Sequence, residues 1–210
     1  MKVINKIVLS IIILVNVCVA RASESASETL THQLQNIKTL SAHFDQTITS
    51  NKGKVLSHCV GVLHIQRPGR FSWETVKPNA LRVVADGQNI WTYDIDLEQI
   101  TKQNAKTTMV GSPAALLAGQ TVRLEKDFIV KYANDSHENY ILYPRVNDSM
   151  FNEIKIRFKN NQLLSMDMKD GLGQHIKTQF TDVKLNTPLN PKIFIFNAPK
   201  GIDIIHNQKI

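Results

Sequence analysis

Cysteine is almost missing from this chain: there are two in 210 residues, Cys18 and Cys59. Cys18 lies in a segment that reads as a secretory signal. Lys2 and Lys6 precede a nearly all-apolar run from Ile7 to Ala20, and Ala20-Arg21-Ala22 has the A-x-A form of a cleavage site. Cleavage is expected after Ala22, so that residues 1–22 are removed and Ser23 begins the mature chain. The run is shorter than the about 20 residues a membrane span needs; retention as an N-terminal anchor is the competing reading. Acylation of Cys18 at the cleavage site calls for a small residue before it, and Val17 stands there. Only Cys59 then remains, which excludes an internal disulfide and leaves stability to ordinary burial. Cys59 itself reads as a small strand residue, with a redox or intermolecular role as the alternative.

Blocks of like charge are also lacking. Loss of Lys2, Lys6 and Arg21 with the signal lowers the net charge from +7 to +4, and the remaining excess is dispersed. That argues against nucleic-acid binding and leaves only a weak attraction to anionic partners or lipid surfaces. There is no G-x-S-x-G elbow, H-E-x-x-H or P-loop. The seven histidines are scattered; His58 and His64 can share a strand face but have no partner at metal-ligand spacing. Asp94 and Asp96 read as an Asx turn rather than a catalytic carboxylate pair, and Gly171-Leu172-Gly173 as a hairpin glycine pair. Neither catalysis, a cofactor nor a metal is expected.

What is present is a patterned domain of 188 residues after cleavage, enough for one sizeable core. Ser25 and Glu28 have capping-box spacing, and Leu30, Leu34 and Ile37 form one helical stripe. The period then changes to two, with Leu40, Ala42, Phe44 and Ile48 alternating with polar residues. Turn chemistry at Asn51-Lys52-Gly53, Pro78-Asn79, Asp86-Gly87, Asn160-Asn161 and Asp170-Gly171 separates further extended runs. These cover 54–66, 81–85, 90–93, 128–132, 140–143, 151–158, 163–168 and 174–183, with a final strand expected at Ile193–Phe196. Roughly a dozen short strands connected as a meander predict one large, curled antiparallel sheet rather than a βαβ chain.

Two features stand out from that rhythm. Gly61 to Glu74 holds two apolar arms around Pro68-Gly69, with Leu63, Ile65 and Arg67 pointing the same way and Phe71 and Trp73 likewise sharing a face. A guanidinium in line with an aliphatic row is costly unless its donors find acceptors; the alternative is that Arg67 swings out to water at the turn. The second feature is Ser112-Pro113-Ala114-Ala115-Leu116-Leu117-Ala118-Gly119, with a serine N-cap, proline at the first helical position and a glycine stop. A short helix apolar all round must be buried on several sides. It either plugs the concave face of the sheet or merely caps the core. Sheet, helix and arginine together favour a hydrophobic ligand cavity with a lid.

The chain resembles the LolA family of periplasmic carriers of outer-membrane lipoproteins. The resemblance runs through Phe44-Asp45-Gln46, Gly61-x-Leu63, Arg67-Pro68-Gly69-x-Phe71-x-Trp73-Glu74, Asp86-Gly87 and Trp91-x-Tyr93-Asp94. It continues through Leu97-Glu98-Gln99, Ser112-Pro113-x-x-Leu116-Leu117, Asp170-x-x-Gly173-Gln174, Phe194-x-Phe196 and Pro199-x-Gly201-Ile202-Asp203. It implies a mainly β fold with short helices: an incompletely closed antiparallel barrel, or half-barrel, with a helical lid over an apolar cavity. Residues 23–210 would form a single carrier domain, monomeric and periplasmic. Partners implied are acylated lipoprotein cargo, an inner-membrane ABC transporter of the LolCDE type and, where a cell has one, the outer-membrane receptor LolB. By the same resemblance Arg67 would latch backbone carbonyls of the lid, Pro113 to Ala118. Leu63, Ile65, Phe71, Trp73 and Trp91 would line the acyl-chain cavity or its mouth. A related half-barrel that binds other lipids or glycolipids, or senses envelope stress, is the alternative. An exported hydrolase would need a nucleophile–base pair that the sequence does not offer.

Overall fold

The computed structural model describes residues 25–105, 113–119, 124–146 and 149–206. The signal segment with Cys18, the mature start at Ser23 and the Ser112 cap lie outside the described residues. Helix α1 (Ala26–Gln35) begins where its sequence dictates. Glu28 N donates to Ser25 Oγ at 3.2 Å, and the Glu28 carboxylate accepts from Ser25 N at 2.9 Å. The Ser25 backbone N–H first, and then the Ser25 hydroxyl, which donates to the same carboxylate at 2.9 Å, hold the Glu28 carboxyl below its ordinary pKa. Leu30, Leu34 and Ile37 are buried, so the stripe faces the core.

Among the described residues, twelve strands form one sheet. The first half comprises β1 (Thr39–Thr49), β2 (Val55–Gln66), β3 (Arg70–Lys77), β4 (Leu81–Asp86), β5 (Asn89–Asp94) and β6 (Gln99–Asn104). The second comprises β7 (Phe128–Tyr132), β8 (Asn139–Pro144), β9 (Phe151–Lys159), β10 (Gln162–Asp170), β11 (His175–Leu185) and β12 (Ile204–His206). Two meanders, β1 to β6 and β7 to β11, join through the β1–β11 pair, and β12 adds to the β6 edge in parallel. The outermost strands β7 and β12 do not meet, so the barrel stays open. Inward-facing Leu63, Ile65 and Phe71 of one meander share a single core with Ile154, Ile156 and Met166 of the other. Only a curled sheet brings them together.

Among the described residues of the connection between the meanders are two short helices, α2 (Pro113–Ala118) and α3 (Leu124–Asp127). Helix α1 lies on the second meander, where Tyr132 OH donates to Thr29 Oγ1 at 2.7 Å and Tyr140 OH to Gln33 Oε1 at 3.1 Å. Its C-terminal end is tied to the end of β11. Asn186 Oδ1 accepts from Lys38 N at 2.7 Å, and Asn186 Nδ2 donates to Asn36 O at 2.9 Å.

The C-terminal part departs from the sequence reading. Ile193–Phe196 is not a strand: Pro191–Phe194 forms a 3-10 turn. Asn190 accepts from Lys192 N and Pro191 occupies the first turn, where its missing N–H costs nothing. Phe194 is thereby buried against the outer side of β3 and β4. The last strand is β12, paired with β6, and neither was expected. In β6 only Ile100 is a buried apolar residue among polar neighbours, so the alternation signal is thin.

Gly61 explains one tight place in this sheet. It pairs with Phe44, whose ring stacks on Trp73 with centroids 3.8 Å apart. A Cβ at Gly61 would collide with the Glu74 carbonyl oxygen and the Phe44 ring. Gly61→Ala is therefore expected to destabilise the protein by about 1–3 kcal/mol, as overpacking does. A urea-unfolding midpoint equivalent to a change of less than about 0.5 kcal/mol, the range of neutral surface substitutions, would contradict it.

Candidate functional site: an apolar cavity under a latched helix

A cavity of about 270 Å³ lies on the concave face. One wall is Leu63, Ile65, Phe71, Trp73 and Val83, which the register sets side by side across β2, β3 and β4. The opposite wall is Met166, Met168 and Phe180, from β10 and β11. Leu117 of α2 closes one end. Leu116, Leu117 and Ala118 are all buried. Of Pro113, Ala114 and Ala115 only the helical backbone is described. Gly119 ends α2 in the left-handed region, φ +66°, which is the usual role of glycine past a helix.

Arg67 stands where β2 runs out, beside this lid. Its backbone N donates to Lys38 O at 2.8 Å. Its Nη1 donates to Leu34 O in the last turn of α1, and its Nη2 to Leu116 O in the last turn of α2 at 3.2 Å. Two residues on, Gly69 N donates to Ala118 O at 2.9 Å. The final carbonyls of a helix lack intrahelical donors and carry the negative end of its dipole. One cation thus serves the C-terminal ends of two helices. Burial pushes the Arg67 pKa below its ordinary value, yet a guanidinium stays protonated in proteins. The side chain passes over Gly119, where a Cβ would collide with Nε and Cζ. A second hollow, about 310 Å³ and bounded by Leu34, Ile37, Leu116 and Leu124, lies against Arg67 between the helices.

The structure brings Leu63, Ile65, Phe71 and Trp73 to the cavity and Arg67 to the lid. Trp91 is a correction: it lies on the outer face. In β5 it is Ile90 that pairs with inward-facing Ala85, so Trp91 one residue later must point away. Its ring stacks on Phe196 at 5.3 Å, and its Nε1 donates to Asp86 Oδ2 at 3.2 Å. Burial would raise the Asp86 pKa, but hydrogen bonds from Asn89, Gln88 and Trp91 outweigh it and hold the carboxyl below its ordinary value. Sequence reasoning missed Met166, Met168 and Phe180; their alternation was visible, but not that curling would set them opposite Trp73. It also missed Gln46 and Thr178, which line the cavity although polar. On the outer face His58 Nε2 and Asp45 Oδ1 are 3.0 Å apart, and His43 Nδ1 and Asp182 Oδ2 3.1 Å.

Residues 35–197 match the model of the family described as outer membrane lipoprotein carrier protein LolA. A protein of Hahella chejuensis named outer-membrane lipoprotein carrier protein is 37% identical over 187 residues, 88% of this chain and 90% of that one. One of the same name from Chromobacterium violaceum is 39% identical over 188 residues, covering 89% and 90%. Among solved structures, an uncharacterized conserved protein from Thermus thermophilus superposes with a TM-score of 0.56 at 14% identity, covering 88% of this chain and all of that one. That likeness concerns the fold alone.

The packing of Arg67 over Gly119 yields a test. Gly119→Ala is expected to cost about 2–4 kcal/mol, the sum of a left-handed alanine and a displaced guanidinium. In an Arg67→Ala background the same change should cost only the about 1–2 kcal/mol of backbone strain. Equal costs in both backgrounds, measured as a double-mutant cycle of urea unfolding, would show that the two residues do not couple.

Proposed function

We propose that this chain, which belongs to the LolA family of outer membrane lipoprotein carrier proteins, ferries acylated lipoproteins between the two membranes of the envelope. One observation carries this reading: an apolar cavity covered at one end by a helix that Arg67 and Gly69 tie to the β2–β3 turn. Residues 1–22 direct export and are removed, and residues 23–210 act as a monomeric carrier in the periplasm. A LolCDE-type transporter loads it at the inner membrane and a LolB-type receptor, where one exists, unloads it.

The physical problem is that acyl chains do not cross water unaided. Each methylene leaving water contributes about 0.8 kcal/mol, so ten of them contribute roughly 8 kcal/mol. The closed cavity, about 270 Å³, is below the usual range of ligand pockets, about 300–1,000 Å³. Cargo enters only by displacing Leu117 and the rest of α2. That displacement breaks the bond from Arg67 to Leu116 O and the bond from Gly69 to Ala118 O, at about 1–3 kcal/mol each. It also unburies Leu116 and Leu117, about 1.5–3 kcal/mol apiece. Opening therefore offsets much of the gain from lipid burial. Affinity stays modest, and a tighter receptor takes the cargo with a difference of only a few kcal/mol and without ATP. Phe71 and Trp73 offer the chains a firm apolar wall, and Arg67 recloses the empty carrier.

The reading is tested by incubating the purified protein with spheroplasts, which should release acylated lipoproteins as a soluble one-to-one complex. Absence of such a complex would overturn it. In the same assay Arg67→Leu should fold but impair cycling of the lid, giving defective delivery to outer-membrane vesicles; transfer at the wild-type rate would refute the latch. Phe71→Glu, which places a charge on the cavity wall, should abolish loading. An unchanged yield of complex would count against that placement.

A further inference from the structure

The stretch Phe44-Asp45-Gln46 divides between the two faces of β1. Phe44 packs under Trp73, Asp45 faces His58 on the outer side, and Gln46 points into the cavity. A primary amide on the wall of a lipid cavity has a desolvation cost unless its hydrogen bonds are met. Gln46 Nε2 donates to Thr178 Oγ1 at 3.0 Å, from the register position directly opposite on β11. Thr178 is 2% exposed. From the other side Cys59, the register partner on β2, directs its Sγ at Gln46 Oε1 from 3.8 Å. Burial, then the charge of Asp45, pushes the thiol pKa up, so it remains a neutral donor.

Two donors are left over. Gln46 Nε2 carries a second hydrogen and the Thr178 hydroxyl a proton; neither has an acceptor among the described residues. The rest of the described lining is apolar, with Leu63, Trp73, Val83 and the two methionines, and no cation. Such a place suits a neutral acceptor and penalises a carboxylate or phosphate. We infer that Gln46 and Thr178 form a subsite for the ester or amide carbonyl of an acyl chain. The inference rests on the carrier reading above and names what that cavity recognises besides hydrocarbon.

Position supports the assignment. Cys59, beside Gln46, and Ile65, beside the lid, are six residues apart on β2, about 20 Å at strand rise. One acyl chain spans half a bilayer core, about 15 Å. A carbonyl held at Gln46 therefore directs its methylene tail along Leu63 towards Ile65, on the Leu117 side of the cavity. The subsite sets how deep a chain enters and favours acylated cargo over ether lipids or bare hydrocarbon.

The test uses two synthetic cysteinyl peptides with chains of equal length, one S-diacylglyceryl with ester carbonyls and one S-dialkylglyceryl with ethers. Both are offered together in mixed micelles, the carrier is isolated, and the ratio bound is read by mass spectrometry. The wild-type protein should favour the ester about fivefold to tenfold, the worth of one net hydrogen bond. Gln46→Leu should bring the ratio near one. Thr178→Val, nearly isosteric, should lower the ratio and serves if the first variant does not fold. A wild-type ratio of one, or an unchanged ratio in a folded variant, overturns the subsite but leaves the carrier reading standing. Failure of the wild-type protein to take up either peptide overturns both.

Discussion

The closed state depends on the hydrogen bonds that Arg67 gives to Leu34 O and Leu116 O, at the C-terminal ends of two helices. A half-buried cation is unfavourable without acceptors, and helix C-termini are unfavourable without donors. Each need meets the other here. The consequence is that α1, α2 and the β2–β3 turn are not three independent contacts but one. Loss of any partner leaves buried polar groups unmet.

Everything else in the fold serves to bring those three segments to one place. Asn186 ties the end of α1 to the end of β11, and Lys38 O takes the Arg67 amide, so Leu34 is carried to the turn. Gly119 lets the guanidinium lie against the end of α2. The curl of the sheet then sets Trp73 and Met166 on opposite walls of the space that Leu117 plugs. Helix α2 is attached to the sheet by the bonds from Arg67 and Gly69, which in the proposed carrier cycle lipid burial outweighs.

How much of this could be read from residues alone varied with the range of the interaction. Local chemistry was legible: the Ser25–Glu28 cap, the turns, the alternation of β7 to β11, and the Pro-to-Gly signature of α2. Parity along a hairpin was legible in principle, yet Trp91 was placed at the cavity through the resemblance and not by its position one residue after inward-facing Ile90. The Ile193–Phe196 alternation suggested a strand, but Asn190-Pro191 starts a 3-10 turn and Phe194 packs outside the sheet. The second acceptor of Arg67 was beyond reach, because Leu34 and Arg67 are neighbours only once β1 pairs with β2 and the end of α1 is tied to β11. Gln46 has the inward parity of Phe44 and Ile48, but as a polar residue it interrupts that apolar row and was not assigned to the cavity.

The most direct test of the account is hydrogen exchange at the Gly69 amide, whose acceptor is Ala118 O of the lid. It should be compared between the empty carrier and the carrier loaded with a triacylated peptide. If cargo enters by displacing α2, this amide loses its protection on loading while the amides of β1 and β11 keep theirs. Equal protection of Gly69 in the empty and loaded protein would mean that lipid binds with the latch shut, and the central claim would fail.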